Sequence, residues 1–106
     1  MNYRILYLKQ AINDLNRLDN SQRKIVLKAI NKVSKNPLSI YEGGYGKPLG
    51  NKAGNKLQSF LKIKIMSLGI RVVYQIVKSD QIMTIIVIGA RADNEVYEEA
   101  ARKLRK

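Results

Sequence analysis

The sequence contains no histidine and no cysteine among its 106 residues. Without histidine there is no imidazole for acid/base catalysis, no Ser-His-Asp arrangement, and none of the commonest metal ligand. Without cysteine there is neither a disulfide framework nor a thiolate site. The eight Asp and Glu residues are scattered, without the spacing of a metal site or a glycosidase pair. We therefore expect no metal and no cofactor, and any catalysis must come from lysine, arginine and tyrosine.

Long apolar runs are also absent. The longest nearly apolar stretch, residues 82–90, is too short to span a bilayer. The N-terminus shows no apolar segment followed by a cleavage site of small residues, so no signal peptide is predicted. We therefore expect a cytoplasmic protein that makes no membrane contact. The length is that of one domain, and we expect residues 1–106 to form a single unit.

Positive charge is what the sequence has in excess. Twenty Lys and Arg against eight Asp and Glu give a formal net charge of +12. Between Arg23 and Lys78 there are twelve basic residues and one acid, Glu42. A domain this basic usually binds a polyanion, and nucleic acid is the first candidate. An anionic lipid surface is less favoured, because no helix combines a basic face with a bulky aromatic one.

A strand and two helices are predicted at the start of the chain. Residues 3–8 are partly β-branched or aromatic and read as a strand. Apolar residues at helical spacing then predict a helix from about Lys9 to Leu18. Ser21 can cap a second helix that ends at Asn36-Pro37, because proline disfavours helical geometry in the preceding residue. Two residues separate the helices, which predicts an antiparallel hairpin. The core face of the second helix is predicted as Ile25, Val26, Ala29, Ile30 and Val33.

An irregular connection is predicted for residues 37–56, which contain both prolines and five of the seven glycines. Connections of this length are usually functional or disordered. Its lysines, Lys47, Lys52 and Lys56, make it a candidate contact for RNA or for a partner. The glycines do not follow the spacing of the known phosphate-binding loops, so a phosphate cradle is not favoured.

Three consecutive strands are predicted from Leu57 to Met66, from Ile70 to Lys78 and from Gln81 to Ile88, where the apolar period changes to two. The short turns between them imply antiparallel pairing. Asp93 or Asn94 can then cap a C-terminal helix. The predicted order is β-α-α-β-β-β-α. It describes an α+β fold in which a helical hairpin and a C-terminal helix pack on a mainly antiparallel sheet.

The first hairpin of this sheet concentrates positive charge on one face. Alternation places Lys62 and Lys64 on the face opposite to the apolar residues of their strand. A tight hairpin that pairs Ile65 with Ile70 puts Lys64 directly opposite Arg71. Like charges in this position destabilise a sheet. Two interpretations remain open: a binding site for an anion, or an exposed face kept soluble by its charge.

Two residues after the last strand are further candidates. Arg91 follows the strand on the face predicted for the odd-numbered residues of 83–89, and could reach the same end of the sheet. Tyr97 lies in the first turn of the predicted C-terminal helix. A tyrosine there is more often a half-buried edge residue, but beside a cationic groove it could stack on a base, an interaction of about 1–3 kcal/mol.

Several of these segments resemble the RelE family of toxins from bacterial toxin–antitoxin pairs. The resemblance rests on LKIKIMSLGIRVVYQIV, on VIGARADNEVYEEA and on YRILYLKQAINDLNRLD, and extends over nearly the whole chain. It implies a RelE-like fold and a metal-independent, ribosome-dependent endoribonuclease that cuts mRNA in the ribosomal A site and inhibits translation. In that reaction the ribose 2′-hydroxyl attacks its own phosphodiester and leaves a 2′,3′-cyclic phosphate.

The resemblance also implies roles for five residues. Lys64 would be the candidate base, Lys62 would support the developing charge, and Arg71 would bind the scissile phosphate. Arg91 would stabilise or protonate the leaving oxygen, and Tyr97 would stack on the base. A lysine with an ordinary pKa of about 10.4 is almost wholly protonated at neutral pH, and arginine is a poor proton donor. We therefore favour electrostatic stabilisation of the phosphorane over strict proton-transfer roles.

Partners and a wider binding surface follow from the same resemblance. The implied partners are a cognate antitoxin protein, mRNA and the A site of the small ribosomal subunit, and we expect no homo-oligomer outside the antitoxin complex. Some family members have an arginine in the loop before the Lys-x-Lys strand, where this chain has only lysines, which cannot reproduce a bidentate guanidinium contact. The predicted RNA- or ribosome-binding residues are Arg23, Lys28, Lys47, Lys52 and Lys56.

Two other functions remain as alternatives. The ParE-like branch of the same superfamily shares the fold but inhibits DNA gyrase, and it does not share the five residues above. A basic module that binds RNA or the ribosome without cleaving it would need only the charged face. Replacement of Lys64 or Arg91 distinguishes an enzyme from such a binding module.

Overall fold

The computed structural model describes residues 2–48 and 60–89. This part of the chain forms two α-helices, a short 3-10 helix at Ile40–Glu42 and five strands. The elements are β1 Arg4–Tyr7, α1 Lys9–Asn16, α2 Asn20–Ser34, β2 Lys47–Pro48, β3 Phe60–Ile65, β4 Ile70–Val77 and β5 Ile82–Gly89. The predicted α+β class is confirmed. The C-terminal helix, predicted to start at Asp93 or Asn94, lies outside the described residues.

The five strands form one sheet in the order β1-β5-β4-β3-β2. Strand β1 runs parallel to β5. The β3–β4 and β4–β5 pairs are antiparallel, as the short turns between them predict, and β2 also pairs with β3 in the antiparallel sense. Both helices contribute to one core on this sheet, with Ala11 and Leu15 from α1 and Val26, Ile30 and Val33 from α2. No helix in the described part of the chain has the length and apolarity needed to cross a membrane.

The start of α2 differs from the prediction. Asp19, not Ser21, is the N-cap: its carboxylate accepts the N–H of Gln22 at 2.8 Å, and the Gln22 side chain accepts the N–H of Asp19 at 3.4 Å. The hydroxyl of Ser21 donates to the same carboxylate at 2.8 Å. These hydrogen bonds hold the pKa of Asp19 below its ordinary value. Aspartate followed three residues later by glutamine satisfies two helix-end N–H groups at once, which a cap at Ser21 would not.

One residue of the predicted core face of α2 is also misplaced. Ile25 is 42% exposed, whereas Val26, Ile30 and Val33 are buried and Ala29 is partly buried. Each residue turns about 100° around the helix axis, so Ile25 falls beside the buried stripe and not within it.

The first part of the predicted irregular connection is ordered. We call residues 36–48 the anchored loop. Its backbone folds back on itself, with the N–H of Ile40 donating to the carbonyl of Gly46 at 2.8 Å. The loop is tied to the sheet by the hydroxyl of Tyr74, which donates to the carbonyl of Pro37 at 2.7 Å. Tyr74 is completely buried, and burial raises its pKa. The loop ends in β2, which extends the sheet by one strand.

Strand β5 contains an irregularity. Its register with β4 shifts between Val73 and Tyr74: Tyr74 pairs with Ile85, but Val73 pairs with Val87. Ile86 is therefore an extra residue, a β-bulge. The sequence predicted that the odd-numbered residues of β5 share one face. This prediction is wrong, because side chains change sides across the bulge.

Candidate functional site

The β3–β4 hairpin has the predicted register. Ile65 pairs with Ile70, and Lys64 lies directly opposite Arg71. The apolar residues of β3 face the helices, where Ile63 and Ile65 belong to the core. Lys62, two residues before Lys64, therefore lies on the same face as Lys64 and Arg71. The hydrophobic pattern fixes this arrangement, because a shift of one residue would turn the cations toward the helices and the core residues away from them.

The anchored loop adds a fourth cation to this face. Lys47 of β2 pairs with Lys62 of β3, so both side chains project from the same side of the sheet. The sequence predicted Lys47 to be a binding residue in an irregular loop, whereas the structure places it in a strand. We call Lys47, Lys62, Lys64 and Arg71 the cationic face.

The spacing of these four residues follows from sheet geometry. Directly opposite residues have Cβ atoms about 4.5–5.5 Å apart. Residues two apart on one strand are separated by about 6.5–7 Å. Two unit charges about 7 Å apart repel by roughly 0.6 kcal/mol in water and by roughly 2 kcal/mol at an effective dielectric constant of 20. A bound phosphate would relieve this repulsion, and it would lie within reach of several cations at once.

The cationic face lies beside an apolar strip. Val73, which pairs with Lys62, is completely buried, and so is its partner Val87 in β5. Lys62 itself is only 8% exposed and is the one buried cation in the described part of the chain. The charges are therefore not spread over an open, fully solvated surface. This favours the interpretation as a binding site over a face that is charged for solubility alone.

A shallow concavity of about 110 Å³ lies at the end of the hairpin, lined by Lys64, Arg71 and the turn residue Gly69. The end of β5 lies at the same place, since Gly89 pairs with Arg71. The amide N–H of Ile88 donates to the carboxylate of Asp14 at 3.0 Å. The sequence offered no signal for this contact, because the two residues are 74 positions apart.

Two of the predicted binding residues lie on the helices, away from the cationic face. Arg23 donates to the carbonyls of Leu15 and Leu18 at 3.1 and 2.8 Å, so its guanidinium holds the end of α1. Lys28 is exposed and borders an open groove of about 490 Å³ along α2. The remaining predicted site residues, Lys52, Lys56, Arg91 and Tyr97, lie outside the described residues.

Similar folds occur among solved toxin structures. An arginine-substituted form of the Escherichia coli toxin RelE in the free state superimposes with a TM-score of 0.74 at 24% identity, covering 98% of this chain and 99% of that one. The toxin–antitoxin complex RelBE2 of Mycobacterium tuberculosis gives a TM-score of 0.69 at 22% identity, covering 86% of this chain and all of that one. The chain therefore has the RelE fold.

Sequence similarity leads to the same group of proteins. A putative RelE-like toxin of Escherichia coli is 25% identical over 105 residues, which cover 99% of this chain and all of that protein. The mRNA interferase toxin RelE of Escherichia coli K12 is 38% identical over 53 residues, or 47% of this chain and 56% of that protein. No protein-family profile matches the chain. Sequence and fold together confirm the resemblance to the RelE family of toxins.

Proposed function

We propose that the protein is the toxin of a type II toxin–antitoxin pair, and that it cleaves mRNA in the A site of the ribosome. The observation that carries this proposal is the cationic face, where Lys64 lies opposite Arg71 and Lys62 opposite Lys47. Two RelE-type relatives are named as mRNA interferases, and RelE structures include complexes with the antitoxin RelB. A cognate antitoxin is accordingly the expected protein partner.

The cationic face suits cleavage by the RNA's own 2′-hydroxyl. That oxygen attacks the adjacent phosphorus and loses its proton. The bond to the 5′-oxygen of the next nucleotide breaks, and that oxygen gains a proton. The products are a 2′,3′-cyclic phosphate and a 5′-hydroxyl end. Charge accumulates on the phosphorane in the transition state, and fixed cations around it are the main source of acceleration. Lys62, Lys64 and Arg71 are proposed to supply this charge, together with Arg91, while Tyr97 stacks on the base.

Primer extension on mRNA in a translating extract, with and without ribosomes, tests the proposal. We expect cuts inside A-site codons, and a cleavage rate reduced about 10²-fold or more by Lys64→Ala or Arg71→Ala. Lys24→Ala removes the same charge from the exposed side of α2 and is the matched control. Equal cleavage by all three variants would remove the cationic face from the mechanism. Intact mRNA together with inhibited DNA supercoiling would assign the protein to the gyrase-inhibiting branch.

Binding and catalysis can be measured separately. If three or four phosphates contact the protein, single-strand RNA affinity should fall with salt on a log–log slope of roughly −2 to −3. Arg91→Ala should abolish cleavage and leave ribosome binding intact. Unchanged cleavage by Arg91→Ala would contradict the role assigned to this residue, and a salt slope near zero would contradict the cationic face as the RNA site.

A further inference from the structure

Asp14 is the one buried carboxylate in the described part of the chain, with 4% of its surface exposed. A buried charge is costly unless hydrogen bonds or opposite charges compensate it. One oxygen, Oδ1, lies 3.3 Å from the amide nitrogen of Gln10 and 3.6 Å from the guanidinium of Arg17. The other, Oδ2, accepts the backbone N–H of Ile88 at 3.0 Å. One of the two carboxylate oxygens is therefore held by the backbone of β5.

The place of this contact is set by the unequal lengths of two strands. The parallel pairing of β1 with β5 ends where Tyr7 lies opposite Ile85. The N–H of Leu8 then donates to the carbonyl of Ile85 at 3.0 Å, and α1 begins at the next residue. Strand β5 continues to Gly89 with no β1 residue beside it. The Asp14 carboxylate provides the acceptor that a neighbouring strand would otherwise supply to Ile88.

The contact also lies two residues beyond the bulge at Ile86. Bulges interrupt the regular hydrogen bonding of a sheet, and they often redirect side chains next to active sites. Here the shift in register changes the neighbour of Gly89: without the extra residue, Ile70 would lie opposite Gly89, and with it Arg71 does. A hydrogen bond to Ile88 holds the chain in the shifted register on the side that faces away from β4.

We propose that Asp14 is a positioning residue for the cationic face. Its hydrogen bond to Ile88 fixes the end of β5, so that Gly89 lies opposite Arg71 and the chain that continues to Arg91, two residues later, starts from that point. Asp14 acts through the backbone of β5 and does not touch RNA. Its effect on cleavage rests on the proposed function, whereas its effect on β5 does not.

Three variants test this role. Asp14→Ala removes the acceptor, and Asp14→Asn keeps an oxygen that can accept the N–H of Ile88. Leu15→Ala is the matched control, because it truncates the adjacent buried side chain and leaves the Asp14 contact in place. Amide hydrogen exchange by NMR reports on β5, and single-turnover cleavage and RNA affinity report on the site. Should Asp14→Ala not fold, Asp14→Glu replaces it, since it keeps the charge and displaces the carboxylate by one methylene.

In Asp14→Ala we expect the amides of Ile88 and Gly89 to exchange at least about tenfold faster relative to the amides of the core strands. Single-turnover cleavage should be about 10- to 100-fold slower, because small displacements of catalytic groups have effects of this size. RNA affinity should change less than about threefold, since the cations that contact phosphate remain. Asp14→Asn should restore most of the rate, and Leu15→Ala should lower thermal stability without slowing cleavage to this extent.

Several outcomes would overturn the inference. Equal slowing by Leu15→Ala would mean that Asp14 matters only for global stability, and a rate as low in Asp14→Asn as in Asp14→Ala would exclude the hydrogen bond as the cause. If the wild-type protein does not cleave RNA, the proposed function fails and amide exchange alone decides. The positioning role then stands if Ile88 and Gly89 exchange faster in Asp14→Ala but not in Leu15→Ala, and falls if they do not.

Discussion

The hydroxyl of Tyr74 should stabilise the protein through a single contact with the anchored loop. Tyr74→Phe removes the hydroxyl that donates to the carbonyl of Pro37, so this buried carbonyl loses its hydrogen bond from Tyr74. Losing one partner of a buried hydrogen bond costs about 1–3 kcal/mol. In a domain of this size that corresponds to a fall in melting temperature of about 4–8 °C for each kcal/mol. Urea denaturation followed by circular dichroism measures the difference directly.

Gly46 offers a second way to perturb the same contact. Its φ is not positive, so its backbone does not require glycine. A Cβ added there would nevertheless collide with the hydroxyl oxygen of Tyr74 and approach the carbonyl of Pro37 to 3.2 Å. Gly46→Ala should therefore destabilise the wild type strongly and the Tyr74→Phe background less. We expect a coupling energy of at least about 1 kcal/mol in the double-mutant cycle.

The pH dependence of the wild type provides an independent check. Burial raises the pKa of Tyr74 above its unfolded value of 10.0, so the native state retains the proton longer than the unfolded state. The stabilisation is fully present below about pH 10 and is lost as the pH rises beyond it. Tyr74→Phe should flatten this alkaline loss. The reasoning would be refuted if the effects of Gly46→Ala and Tyr74→Phe on the free energy of unfolding were additive within about 0.5 kcal/mol. It would also be refuted if Tyr74→Phe lost stability above pH 10 as the wild type does.

Other substitutions test the remaining contacts. Lys64→Thr should raise the free energy of unfolding by about 0.2–1 kcal/mol, since it removes a like charge opposite Arg71. The same substitution should slow RNA cleavage. A lower stability in urea denaturation would contradict repulsion between Lys64 and Arg71. Arg23→Lys should cost about 1–2 kcal/mol, because one ammonium cannot reproduce the paired contacts to Leu15 and Leu18, and denaturation curves matching the wild type would contradict this. Asp19→Ala should lower the melting temperature at neutral pH, and the difference from the wild type should shrink as the pH falls below 3.8. The reason is that the depressed pKa of Asp19 makes its stabilisation present above the unfolded value of 3.8 and lost on acidification. A difference that does not shrink on acidification would exclude the capping carboxylate.

The sequence predicted those parts of the fold that depend on alternation along a strand. Lys64 lies opposite Arg71 because apolar residues occupy every second position of β3 and β4, and only one register buries these apolar residues. The same reasoning failed in β5. Residues 85–88 are all apolar, so alternation carries no information there, and the bulge at Ile86 had no sequence signal.

Other features were missed because their causes are tertiary. Strand β2 has two residues, too few for any period, and it belongs to a loop that a hydrogen bond from Tyr74 to Pro37 ties to the sheet. In the sequence, Asp14 is an ordinary helical aspartate, and only the fold places Ile88 beside it.

The cap of α2, in contrast, could have been predicted from the sequence. Glutamine three residues after Asp19 is a capping-box signal, which favours Asp19 over Ser21.

Strand β2 also determines how the sheet can meet other proteins. A strand at the edge of a sheet usually presents a row of backbone N–H and C=O groups to which a foreign strand can add. Here the added strand is two residues long and consists of Lys47, which is exposed, and Pro48, which has no N–H to donate. Within the described residues, this edge therefore offers few backbone groups for pairing, which disfavours strand addition at β2, both between copies of this chain and with a partner. The side chains of the cationic face are what the sheet offers instead, and recognition through them is sensitive to salt and to the partner's charge.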